Sequence, residues 1–97
     1  MNYIKEVKSL CKAIEAKANS VESFEETRAH YADPKAKGTL RINQTSYVLF
    51  LEDGTPNPWL NEIRLAYIKT YDAQIFRLKG ELEGLHWKLT RLGRDAA

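Results

Sequence analysis

Apolar side chains recur at alternating three- and four-residue steps through the last third of the chain: Ile68, Tyr71, Ile75, Leu78, Leu82, Leu85, Leu89 and Leu92. A heptad seam of this length predicts a long helix whose apolar stripe another helix must cover. Asn57 is a good capping residue and Pro58 suits the first helical position, so the helix is predicted over 58–92. At about 1.5 Å per residue it spans roughly 50 Å. A compact domain of this chain length has a radius of gyration near about 13 Å, so the helix must either kink or project. Gly80 and Gly84 mark the expected break, since each costs about 1 kcal/mol against alanine in a helix interior. The same glycines also belong to a second stripe, Ala73, Phe76, Gly80, Gly84 and Trp87, on the side away from the seam. Small residues flanked by aromatics let another helix approach closely. One helix with two contact faces predicts a homo-oligomer, most simply a two-fold dimer.

Upstream, Ile4, Val7, Leu10, Cys11 and Ile14 share one face of a helix predicted over 2–18. Cys11 falls in that apolar set and is expected as a small buried hydrophobe. Asn19-Ser20 interrupts the pattern. Ser20 can cap a new start, Ser23 and Glu26 offer a capping box, and Val21, Phe24, Arg28 and Tyr31 recur at helical steps. Residues 21–32 are therefore predicted as a second helix, or as a bent continuation of the first, ended by Asp33-Pro34. After a basic linker, Leu40 and Ile42 alternate with polar neighbours, and Tyr47-Val48-Leu49-Phe50-Leu51 is rich in strand formers. A tight connection at Asn43-Gln44-Thr45 makes 39–52 a β-hairpin. Its second strand is apolar on both faces, so the hairpin must pack on helices or pair with another chain. Asp53 to Pro58 is a turn cluster. The expected fold is α+β and mainly α: N-terminal helices, a central hairpin and a long C-terminal helix in a single domain over 1–97.

Composition narrows the class. The 43% hydrophobic and 29% charged fractions are those of a folded soluble domain, and a net charge of +2 does not by itself imply a polyanion partner. The single cysteine makes no intrachain disulfide. No run approaches the roughly 18–20 apolar residues of a membrane span, and the charged N-terminus lacks a signal-peptide core. The expected compartment is the cytoplasm.

Candidate chemistry is sparse. The five glycines are scattered, so no phosphate-cradling loop is present. His30, His86 and Cys11 lack metal-ligand spacing, and both histidines are expected as packed or rim residues. Glu81 and Glu83 project about 200° apart on a helix and form no acid/base pair. No catalytic, cofactor-binding or metal-binding residue is assigned, and the chain reads as non-enzymatic.

Two binding readings remain. Aromatics and arginine dominate protein interfaces, which singles out Trp59, Phe76, Arg77 and Trp87 with Gly80 and Gly84 between them. On this reading the chain is an adaptor, or an inhibitor that occupies a surface of a larger protein, of the kind phages and mobile elements carry. The alternative is a small oligomer that binds nucleic acid or an anionic nucleotide. Lys35, Lys37 and Arg41 line the linker and first strand, Tyr47 and Phe50 offer stacking faces, and Lys88, Arg91 and Arg94 cluster at the end. Those last cations equally suit a helix C-terminus, where the macrodipole favours them.

Overall fold

The computed structural model describes residues 3–96. Helix α1 runs Tyr3–Ala32, strands β1 and β2 run Thr39–Ile42 and Thr45–Val48, and helix α2 runs Asn61–Ala96; a single 3-10 turn, Pro34–Ala36, leads into β1. The two helices lie antiparallel. Lys17 pairs with Glu81 at 2.6 Å, Arg28 with Asp72, and Glu25 with Lys79 at 3.4 Å, a register that descends one helix as it climbs the other. The result is a rod of 58 × 21 × 19 Å with a radius of gyration of 19.3 Å.

The heptad seam does what its spacing predicts. Ile75 and Leu78 are buried against Val21, with Phe24 packed beside them, and Ile68, Tyr71, Leu82, Leu85, Leu89 and Leu92 are half-buried along the same face. Toward the hairpin end the seam turns aromatic: Tyr31 stacks on Tyr67 at 4.8 Å and on Tyr71 at 6.0 Å, and Phe24 tilts against Tyr71 at 5.8 Å. Burial, then the neighbouring Tyr71 and Tyr67 phenols, pushes the Tyr31 phenol above its ordinary value.

Several local expectations are corrected. Residues 2–18 and 21–32 are not separate helices; one helix covers both from Tyr3, and Asn2 lies outside the described residues. Ser20 caps nothing: its hydroxyl donates to the Ala16 carbonyl one turn back, and Thr27 does the same to Ser23. Continuity prevails because Val21, immediately after the supposed break, is a buried residue of the seam. Cys11 is exposed rather than buried, since Val7, Leu10 and Ile14 fill the seam and leave it on the flank. The long helix starts at Asn61 rather than Pro58 and continues to Ala96 without a break at Gly80 or Gly84. Asn57 still organises its start: its side-chain oxygen accepts from the Trp59 N–H, and its carbonyl accepts from Leu60. The choice between kinking and projecting resolves as an unbroken rod, with α1 extended alongside.

The hairpin is tighter than 39–52. Thr39 pairs with Val48 and Ile42 with Thr45 around a two-residue turn. Asn43 and Gln44 both have positive φ, 48° and 69°, the left-handed geometry that matches strand twist. Beyond Val48 the chain leaves the ladder and dives inward at Leu49, whose side chain is fully buried. Leu49 donates to the Gly38 carbonyl and accepts from the Asn57 N–H, tying both loops to one residue. Gly38 is required here: a Cβ would lie 2.3 Å from the His30 carbonyl oxygen.

Candidate protein-binding surfaces

The interface candidates separate into two surfaces. Trp59 belongs to the tip, where the hairpin meets the start of α2. Phe76, Arg77, Gly80, Gly84 and Trp87 lie on α2, away from or flanking the side that packs on α1.

The tip is built around one buried cation. Arg64, only 8% exposed, donates to the Tyr31 carbonyl at 3.1 Å and to the Asn61 side chain at 3.0 Å. Its guanidinium lies 5.0 Å from the centre of the Phe50 ring, while its Nε has no hydrogen-bond partner. No carboxylate compensates it among the described ion pairs. The carbonyl at the end of α1 and the face of Phe50 take that role, one through the negative pole of a helix and the other through its π-cloud. His30 adds a second tie, with Nε2 at 3.1 Å from the Thr39 carbonyl and its ring edge-on to Tyr31. Asp53 closes the following loop by accepting from the Thr55 hydroxyl and N–H; these bonds hold its carboxyl below the ordinary range.

Against this frame stands an open apolar cleft lined by Ile42, Tyr47, Asn57, Trp59 and Leu60. Ile42 and Tyr47 share a face of the ladder through their pairing with Thr45 and Leu40. Trp59 is 90% exposed, while its backbone N–H is held by Asn57. Asn57 in turn donates through its side chain to the Val48 carbonyl at 2.9 Å. Val48 and Leu51 add exposed apolar surface on the other side of the strand. Sequence reasoning finds Trp59 but misses Ile42 and Leu60. The signal for Ile42 is its alternation with Leu40 along the first strand; Leu60, just ahead of α2, carries none.

On α2 the outer aromatic positions are open: Phe76 is 83% exposed and Trp87 56%. A Cβ added at Gly80 or Gly84 would meet nothing within 4 Å. Arg77 sits at the flank, bonded to Glu81 and Gln74 on its own helix. Leu65, half-exposed, precedes Phe76 by the same eleven residues that separate Phe76 from Trp87. An eleven-residue period keeps all three on one line of a helix and is the sequence signal for Leu65.

The candidate cations do not gather, and the lysines that do share one cleft, Lys5, Lys8 and Lys12 on α1, are not among them. Lys35 and Lys37 line a cleft with Glu52 and Asp53; Lys88 and Arg91 line one with Glu6; Arg94 lies with Glu83, His86 and Trp87. Arg41 pairs across the ladder with Ser46, on the opposite face from Tyr47, and Phe50 is already covered by Arg64. Among the described residues, no group of three His, Cys, Asp or Glu side chains could hold a metal ion, and no helix is long and apolar enough to cross a membrane. Comparison of the chain with protein-family models, curated proteins and solved structures finds no match.

Proposed function

We propose that the chain is a non-enzymatic binding protein that docks on a larger protein through its tip, as an adaptor or an inhibitor. The observation that carries this reading is Trp59: a fully presented indole on an anchored backbone, beside an apolar cleft of Ile42, Tyr47 and Leu60. A tryptophan next to a small apolar cleft is the anchor type that dominates interface energetics. Its presentation also lowers the entropy lost on docking, because Asn57 already fixes the backbone. The anionic-ligand reading draws less support, since Lys35, Lys37, Lys88 and Arg91 each share a cleft with a carboxylate.

The test is capture from the natural host with tagged wild type and Trp59→Asp, washed in low and high salt. An apolar anchor predicts a protein retained in high salt by the wild type and lost by the variant, with helicity unchanged. Retention of the same protein by Trp59→Asp, or nucleic acid released by salt as the sole cargo, refutes it.

A further inference from the structure

We infer that the outer face of α2 seats a second copy of this chain, antiparallel, with the two-fold axis near Gly80. This surface is separate from the tip and does not depend on what the tip binds.

The first ground is what one chain lacks. Among the described residues, only Val21, Leu49, Leu60, Ile75 and Leu78 form the buried apolar set, and Leu49 and Leu60 sit apart at the tip. Two helices cover only the seam between them, so the outer face of α2 keeps its large apolar side chains in solvent. One long face of a 58 × 21 Å rod projects roughly 1,200 Å², enough for the roughly 800 Å² each partner buries in a standard interface.

The second ground is the glycines. Within one chain no contact calls for Gly80 or Gly84, because both are helical and the space where a Cβ would stand is open. Such residues weaken a helix without return unless something approaches the backbone closely. Flanking them, Phe76 and Trp87 supply the bulk such an approach would bury.

The third ground selects the occupant and its direction. With the axis at Gly80, Phe76 of one copy lies over Gly84 of the other, and Trp87 over Ala73. Each large side chain meets a small one, which is the self-complementarity a two-fold interface demands. Charge agrees. Glu62 is exposed on α2 toward its start, and Arg91 and Arg94 toward its end. A parallel pair would set Arg91 and Arg94 beside their own copies. The antiparallel pair sets Arg91 against the second copy's Lys69, but it removes the Lys69, Arg91 and Arg94 self-pairs, faces Arg77 with Glu83, and brings Arg94 to within about one helical turn of Glu62. In this assembly the two tips point away from each other at opposite ends.

Sedimentation equilibrium over a concentration series tests the pairing. The wild type is expected at twice 11.2 kDa, and Phe76→Glu and Trp87→Glu as monomers of unchanged helicity. For direction, Ala66→Cys and Arg94→Cys chains, which the Gly80 axis places opposite each other, each carrying Cys11→Ser, are mixed and oxidised. The expected product is the mixed disulfide, with little Arg94→Cys self-linkage. A wild type monomeric throughout, or a Phe76→Glu chain that dimerises as the wild type does, overturns the inference and leaves the face to a different protein. Preferred Arg94→Cys self-linkage overturns the antiparallel arrangement. Trp59→Asp is expected to dimerise normally, so failure at the tip and failure here read out separately.

Discussion

Replacing Gly80 and Gly84 together by alanine sets two effects against each other. Within one chain the change is favourable. Neither new Cβ meets an atom within 4 Å, both residues are helical, and neither has a positive φ. Each replacement should add about 1 kcal/mol of helix stability, so about 2 kcal/mol together. For a chain of 97 residues, about 1 kcal/mol raises Tm by roughly 4–8 °C, giving a rise of roughly 8–16 °C for the pair.

Between chains the same methyl groups stand where a second helix must come closest. The dimer constant should weaken by roughly tenfold or more, the equivalent of about 1.4 kcal/mol, as overpacking a close contact costs about 1–3 kcal/mol. Thermal circular dichroism at a dilution where chains are separate reads the first effect, and sedimentation equilibrium the second. Gly93→Ala is the internal control: its Cβ space is also open, but it lies about five turns from Ile75 on the seam side of the helix, so it should leave association unchanged. Higher thermal stability with an unaltered dimer constant would refute the close-approach role of the glycines. Lower stability at dilution would refute the open space itself.

Other outcomes follow from single contacts. Gln44→Gly should stabilise the fold by about 0.5–1 kcal/mol in denaturant melts, because Gln44 holds a φ of 69° that glycine adopts freely. Gly38→Ala should destabilise by at least about 2 kcal/mol in the same melts, since the 2.3 Å approach to the His30 carbonyl cannot be relieved by a side-chain rotation. Arg64→Lys should fail to restore what Arg64→Ala loses, because a single ammonium cannot serve the Tyr31 and Asn61 oxygens and the Phe50 face together; chemical melts of the two variants would show comparable losses. The Lys17 hydrogen bond holds the Glu81 carboxyl below its ordinary value of 4.5. A lowered folded value adds stability above the unfolded pKa and loses it as pH falls through the folded one. Glu81→Gln should therefore flatten the acid limb of the stability–pH curve, and an unchanged limb would exclude this pair as its source.

The rod is legible in the sequence because its cause is periodic. Eight seam positions at heptad steps specify both the helix and the side it buries. The continuity of α1 is less visible, because Asn19, Ser20 and Ser23 carry real capping chemistry and only the partner helix, packed against Val21, overrides it. Cys11 misleads for a related reason. An apolar stripe five residues deep holds two more than the two-helix seam covers, and nothing local says that Ile4 and Cys11 are the ones left outside. The glycines read as a break on propensity alone, yet propensity treats a kink and a close approach identically. The tip is the least legible part. Arg64 looks like any helix-surface cation until the end of α1 and Phe50 arrive from sequence-distant segments, and no spacing rule encodes that meeting.

The buried arginine also explains how a slender rod can present a usable anchor. A hairpin of two four-residue strands is marginal by itself, and an indole on a loose loop would lose on docking much of what its area contributes. Here three ties remove that freedom. Arg64 joins the end of α1 to the start of α2 while its guanidinium sits on Phe50; Leu49 fastens the strand exit to Gly38 and Asn57; Asn57 holds both Val48 and Trp59. All three converge within the few residues that flank Trp59, and none of them touches its ring. Backbone order and side-chain exposure thus come from different groups, so they can be separated by mutation. Arg64→Ala should weaken docking by loosening the presentation of an unchanged surface, and Trp59→Ala by removing the surface from an unchanged frame. Hydrogen exchange at the Leu49 and Trp59 amides distinguishes the two: faster in the first variant, unaltered in the second. If Arg64→Ala weakened docking without faster exchange, Arg64 would have no part in presenting the anchor.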